Sequence, residues 1–185
     1  FSKVSMIIGV TGPICSGKGE LSDFLREEYS FEVLSFRDEV TDEAIKRGLE
    51  TTRENLQTLG HNLTVVHGEP YWARRIIDKM YQNKDYVVEG FWYLGQIDAI
   101  RRFENFVLVG ITAPEDVRFV RYVEKRARAG EILTRKAFDI ADARDQGKVK
   151  GLSGQCSAAC YEVIDREIVN DTNDLNDLRV KINEF

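Results

Sequence analysis

Residues 12–18, Gly-Pro-Ile-Cys-Ser-Gly-Lys, restrict what this chain can fold into more than any other stretch. An apolar run (Met6, Ile7, Ile8, Val10) precedes them, and helix-forming sequence from Glu20 to Glu28 follows. The order is strand, glycine loop, helix. Gly12, Gly17 and Lys18 match the phosphate-loop pattern G-x-x-x-x-G-K. Glycines let the backbone turn so that several N–H groups point at one phosphate. The start of the helix adds unpaired N–H groups and a partial positive charge. Lys18 adds a mobile full charge that reaches the terminal phosphates. Gly12, Pro13, Ile14, Cys15, Ser16, Gly17, Lys18, Gly19 and Glu20 are therefore assigned to ATP. One position departs from the pattern: Gly19 stands where a Ser or Thr hydroxyl binds Mg²⁺.

The chain has 185 residues, enough for one domain with a sizeable core and short for two. A single domain over 1–185 is expected. A net charge of −5 argues against nonspecific nucleic-acid binding. No apolar run approaches membrane-spanning length, and no basic leader precedes a long apolar stretch, so neither a membrane span nor a signal peptide is expected. Three cysteines suggest a reducing compartment, with the cytoplasm as the default.

Apolar β-rich segments alternate with helical ones, the pattern of a parallel sheet covered by helices. Strands are expected at Met6–Thr11, Phe31–Phe36, Tyr86–Glu89, Phe106–Thr112 and Ile168–Asn170. Sites in such sheets lie at the carboxyl ends of the strands. Arg37 and Asp38 follow the second strand. Asp38 is a candidate base for an acceptor hydroxyl, and Arg37 a candidate ligand for an acceptor phosphate. Three helical stretches come next, with apolar stripes Val40–Ala44–Ile45–Leu49, Leu56–Leu59–Leu63–Val66 and Ala73–Ile76–Ile77–Met80. Arg53 precedes a clean stripe and is preferred over Arg74 and Arg75 as a phosphate ligand.

Glu89 ends the third strand, where an acid orients Mg²⁺ through water; a lone carboxylate there is costly unless it has such a role or a partner. Phe91, Trp92 and Tyr93 follow, as core or stacked on a base, with Trp92 assigned to the acceptor. Pro114, Glu115 and Asp116 open a helix that carries Arg118, Arg121, Lys125, Arg126 and Arg128, the densest positive cluster in an acidic chain. A helix over 134–147 carries Asp139, Asp142, Arg144 and Asp145. Cys156 and Cys160 lie at helical i, i+4 spacing without the further ligands of a zinc site.

Together GPICSGKGE at 12–20, TRENLQTLGHNL at 52–63, YVVEGF at 86–91, RFVRYVEKRAR at 118–128 and IVNDTNDLNDL at 168–178 resemble the P-loop nucleotide-kinase group. That group includes adenylate kinases and dephospho-coenzyme A kinases, and the chain looks most like an adenylate-kinase-related family of archaeal-type P-loop proteins. The resemblance implies an α/β P-loop NTPase three-layer sandwich with a five-stranded parallel sheet. It implies an acceptor-gripping arm over about 38–82 and a lid over about 126–150. Arg126, Arg128 and Arg144 become lid arginines on the transferring phosphate, and Asp171 and Thr172 meet the adenine. Gly-Lys-Gly at 17–19 is shared with adenylate kinases, which hold Mg²⁺ largely through water. The implied activity is transfer of the ATP γ-phosphate to a nucleotide, with a nucleoside monophosphate as leading acceptor. Transfer to a hydroxyl, as in dephospho-coenzyme A kinases, is the alternative. A nucleotide-binding regulator or slow ATPase is the reading of another class.

Overall fold

The computed structural model describes residues 6–81, 83–127, 134–148 and 156–184. Five strands form one parallel sheet: β1 (Ile7–Thr11), β2 (Glu32–Ser35), β3 (Tyr86–Glu89), β4 (Phe106–Thr112) and β5 (Arg166–Val169). Their spatial order is β2-β3-β1-β4-β5. Ile7 is in register with both Tyr86 and Phe106, so β1 sits at the centre of the sheet.

Alternation along the strands sorts side chains between two cores. Ile7, Tyr86, Val88, Phe106 and Leu108 face one layer, while Val10, Val87, Val109 and Ile111 face the other. The second layer is α1 (Lys18–Tyr29) and α9 (Leu175–Asn183), which contribute Leu21, Phe24, Leu25, Leu178 and Ile182. The first is built by α2 (Phe36–Lys46), α3 (Arg53–His67), α4 (Tyr71–Ile77), α5 (Leu94–Ile100) and α8 (Ser157–Tyr161). Each such Leu, Ile or Phe, fully buried, contributes about 1.5–3 kcal/mol. Gly9 is required on the crowded face, where a Cβ would fall 2.8 Å from the Phe106 ring.

The expected strands are all present, with ends moved by one or two residues. Phe36 leaves β2 to open α2, because Ser35 caps that helix by accepting from Arg37 N. Arg37 and Asp38 therefore lie in the first turn of a helix, exposed, rather than in a loop. β5 begins two residues early, at Arg166. The short helices α5 and α8 escape the sequence reading because each is under two full turns and shows no stripe.

Two further helices, α6 (Glu115–Ala127) and α7 (Arg135–Asp145), follow β4. They pack through Phe138, which meets Phe119 and Tyr122 edge-on at 5.6 and 5.4 Å. The Arg118 guanidinium makes a two-pronged pair with Asp142, one prong at 3.1 Å, and both residues are buried. Among the described residues, no helix is long and apolar enough to cross a membrane.

Candidate active site

The loop after β1 has the backbone that its glycines require. Gly12, Cys15 and Gly17 have φ of +148°, +58° and +110°. A Cβ on Gly12 would fall 2.0 Å from Ile111 O, and one on Gly17 would fall 2.3 Å from Asn170 Nδ2. Gly17 caps α1 in the left-handed conformation, so the loop runs directly into the helix N-terminus. Lys18 is the first residue of α1, and its Nζ donates to Gly12 O at 2.7 Å and Pro13 O at 2.8 Å. The ammonium has three donors, so one remains for an anion. Burial pushes the Lys18 pKa down, while Asp145, Cys15 and Glu89 pull it back up.

The loop carbonyls are held from behind by residues to which the sequence analysis assigned no site role. Arg121 Nη1 donates to Cys15 O and Ser16 O at 3.3 and 3.4 Å, and Nη2 to Asn170 O at 3.1 Å and to Thr172 O. Arg118 Nη1 reaches Ile14 O at 3.3 Å. Asn170 Nδ2 donates to Ser16 O at 2.9 Å. These donors occupy the carbonyls of Ile14, Cys15 and Ser16, while the Ser16 N–H donates within the loop to Pro13 O at 3.3 Å. The i, i+3 spacing of Arg118 and Arg121, which puts both on one helix face, was the available signal.

A small cavity of about 30 Å³ opens where the carboxyl ends of β1 and β3 meet; Thr11, Gly12, Lys18, Gly90, Trp92 and Asp145 are among the residues lining it. Glu89 lies at the end of β3 and accepts from Ser22 Oγ at 2.7 Å, so it is not a lone carboxylate. Ser16 Oγ and Thr11 Oγ1 are buried beside the loop without a hydrogen-bond partner among the described residues. Gly19 has open space where a Cβ would stand.

Arginines of three other helices lie within one another's field, and Asp145 of the cavity wall acts on both Arg53 and Lys18. Arg53 opens α3, Arg126 lies at the end of α6, and Arg144 at the end of α7. Arg53 is an exposed residue, and desolvation is the largest influence on its guanidinium and lowers its pKa. Arg126 and Arg144 lower it further, and Asp145 opposes them. Arg144 Nε is buried without a partner among the described residues. Arg126 stacks on Tyr122 at 5.0 Å.

The remaining assigned residues divide. Trp92 is half-buried and lines the cavity. Phe91 and Tyr93, in contrast, are buried core residues. Arg75 is taken up by Glu39 and Glu43 of α2 at 3.2 and 2.8 Å, and exposed Arg74 has no described polar partner. The Asp171 carboxylate accepts from Lys181 at 2.7 Å, and Thr172 Oγ1 donates to Asp177. The Asp171 and Thr172 side chains of the loop after β5 thus turn to α9, and the Asn170 and Thr172 carbonyls to Arg121. Arg128 lies outside the described residues. His61 Nδ1 lies 3.2 Å from the Tyr93 hydroxyl and belongs to the arm's packing. Cys156 and Cys160 pack, the Cys160 thiol being pushed up to about 12 by burial.

Comparison with known proteins agrees with this geometry. A family model described as an AAA domain matches residues 11–138. A UPF0200 protein of Methanothrix thermoacetophila is 32% identical over 147 residues, 76% of this chain and 79% of its own. A UPF0200 protein of Aeropyrum pernix is 29% identical over 174 residues, 94% and 88% of the two chains. Among solved structures, a shikimate kinase from Acinetobacter baumannii, in complex with shikimate, superposes with a TM-score of 0.59 at 16% identity, covering 97% of this chain and 92% of that one. The fold is that of P-loop kinases, a parallel five-stranded sheet between helical layers.

Proposed function

The chain belongs to the AAA domain family and, with its archaeal relatives, to the UPF0200 proteins, and on that premise we propose that it is an ATP-dependent small-molecule kinase. The observation that carries this reading is that Arg126 and Arg144, from two other helices, act on Arg53, while Asp145 of the cavity wall acts on both Arg53 and Lys18 of the glycine loop. A cradle of N–H groups binds a polyphosphate; arginines from outside it stabilise charge that develops during transfer. A lid that closes these arginines over the loop also excludes water.

In this reading Lys18 holds the β- and γ-phosphates. Arg126, Arg144 and, beyond the described residues, Arg128 meet the phosphoryl group in flight. Arg53 and Arg37 receive an anionic group of the acceptor, which is a nucleotide or nucleotide-like molecule. Mg²⁺ fits the oxygen donors at the loop: Glu89 would hold it through water, beside the unpartnered hydroxyls of Ser16 and Thr11. When bound, the ion neutralises phosphate charge. Three unpaired cysteines agree with a cytoplasmic setting. The specific observation that favours a hydroxyl acceptor over a phosphate one is the half-buried Asp145 on the cavity wall.

The test is a phosphoryl-transfer screen with Mg-ATP against nucleoside monophosphates, deoxynucleotides and dephospho-coenzyme A, with binding followed by a fluorescent ATP analogue. Product with one acceptor, lost by orders of magnitude in Lys18→Ala, supports the reading. Hydrolysis indifferent to every acceptor supports a regulator or slow ATPase instead. Binding and turnover unchanged in Lys18→Ala overturn the role of the loop.

A further inference from the structure

We propose that Asp145 is the proton acceptor of the transfer site, and that the phosphoryl acceptor is therefore a hydroxyl group. This rests on the kinase reading above and deepens it.

Four observations support the assignment. First is place. Asp145 lines the cavity that has Lys18 and the loop on one wall and Gly90 and Trp92 of the β3 end on another. Lys18 marks the terminal phosphate. The β3 end leads to the arm side, because β3 lies between β1 and β2. The carboxyl group thus stands at the junction of donor and acceptor.

Second is anchoring. The single Ser157 O–H is shared between Asp145 Oδ2 at 3.0 Å and the Asp145 backbone oxygen at 2.8 Å. Ser157 follows Cys156, whose N–H donates to Trp92 O at 2.9 Å. One turn back on α7, Asp142 is gripped by Arg118 and Gln146. The carboxylate is held through Oδ2, and Oδ1 accepts from no described residue, which leaves one oxygen for an incoming hydroxyl.

Third is charge. Lys18 of α1 and Arg53 of α3 face Asp145 and favour its ionised form; Asp142 on its own helix opposes ionisation, and the Cys160 thiol of α8 lies within its field. Burial is the largest influence and pushes the Asp145 carboxyl up. Asp145 makes no ion pair with a described residue, so its proton affinity is not quenched by a direct partner. A base is most effective with its pKa near the working pH.

Fourth is what the alternative demands. A phosphate acceptor arrives already ionised and needs no base. Asp145 would then add a third anion between two phosphates, which is unfavourable for both. A hydroxyl arrives neutral and must lose a proton as its oxygen attacks.

The step balances without a further reagent. The acceptor O–H proton passes to Asp145 Oδ1, and the acceptor oxygen forms a bond to the γ-phosphorus. The bond from that phosphorus to the β–γ bridging oxygen breaks, and ADP leaves with the electron pair. The Asp145 carboxyl afterwards releases the proton to water, so that alcohol and ATP give phosphate ester, ADP and one proton.

The experiment compares wild type, Asp145→Asn and Ser157→Ala. Transfer is measured with dephospho-coenzyme A, adenosine and AMP as probes, and hydrolysis with water as the simplest hydroxyl. Binding of a fluorescent ATP analogue is measured alongside. Expected is transfer to a hydroxyl probe, with kcat down by about 10²- to 10⁴-fold in Asp145→Asn and analogue affinity retained. Ser157→Ala, which removes a donor to the ionised carboxylate, should move the acid limb of the kcat/KM profile to higher pH. Carboxyl infrared difference spectra should show one titrating group lost in Asp145→Asn. Transfer to AMP phosphate alone, or hydroxyl transfer or hydrolysis within about threefold of wild type in Asp145→Asn, overturns the inference and leaves the kinase reading intact. Failure to bind the analogue in wild type overturns both.

Discussion

At the scale of single residues, the loop separates glycines that the fold needs from one that it does not. Gly17 has φ of +110°, and a Cβ there would strike Asn170 Nδ2 at 2.3 Å. Asn170 is the residue that pins Ser16 O, so the clash would be passed into the loop. Gly17→Ala should destabilise by more than about 1 kcal/mol and weaken ATP binding, as read by urea melts and analogue titration. Gly19 is exposed, helical, and meets nothing within 4 Å. Gly19→Ala should be neutral or stabilise by up to about 1 kcal/mol in the same melts. Gly19→Thr goes further, because it supplies the hydroxyl that the loop pattern expects; it should lower the Mg²⁺ concentration needed for half-maximal ATP binding. An unchanged Mg²⁺ requirement would mean that the ion sits away from position 19. The loop pattern already fixes Gly17 and leaves position 19 to Ser or Thr; what it does not show is the clash at Gly17. The difference is set by β5, which arrives at the loop from more than 150 positions along the chain.

At the scale of elements, α6 acts as a brace between the loop and α7. Its inner face carries Arg118 and Arg121, which the sequence presents as members of one positive cluster with Arg126 and Arg128. Charge density alone points at the far end of the helix, where the resemblance sets lid arginines. Burial divides the cluster: Arg118 is 5% exposed and bound to Asp142, a use that shows only when α7 folds back. The arm is legible to the same partial degree. The stripe on α3 gives a buried face with Leu56, Leu59 and Leu63, but its fourth member, Val66, is exposed; Arg53 lies at the first turn. Arg75 is claimed by Glu39, a buried acid on α2 that has no mark in the sequence to set it apart from its neighbours. The brace makes a specific prediction. Breaking a buried pair from one side leaves an uncompensated charge, so Arg118→Met or Asp142→Leu alone should each cost about 3–5 kcal/mol in denaturant melts. The double variant should recover most of that stability, since two apolar side chains beside Phe138 replace two mutually satisfied ions. It should not recover ATP affinity, because the bond from Arg118 to Ile14 O is lost in both backgrounds. Recovery of both would make Arg118 a packing residue only.

At the scale of the whole molecule, the sheet and the phosphate loop are local enough to be read in order. Alternation along each strand encodes its faces, and Gly-x-x-x-x-Gly-Lys encodes one turn. The proposed transfer site is not local. It is assembled from Lys18, Arg53, the β3 end, Arg126, Arg144 and Asp145, and only the sheet order brings these together. Asp145 is the clearest case, since Arg144-Asp145 reads as an ordinary polar helix end until α7 is placed over the loop. Its burial should be felt in global stability. A carboxyl whose pKa is raised on folding contributes stability that is fully present below its unfolded pKa, about 3.9, and is lost as pH rises through its folded pKa. Asn at this position is neutral at every pH. Asp145→Asn should therefore be more stable than wild type at pH 7–8, with the gap closing as pH falls towards about 4. Denaturant midpoints at a series of pH values, with unchanged m, measure it directly. A gap of the opposite sign at neutral pH would show that Lys18 and Arg53 more than offset the cost of burying the charge. The site would then hold Asp145 as a counter-ion to its own cations, ionised well below neutrality and too weak a base to take a proton from an alcohol.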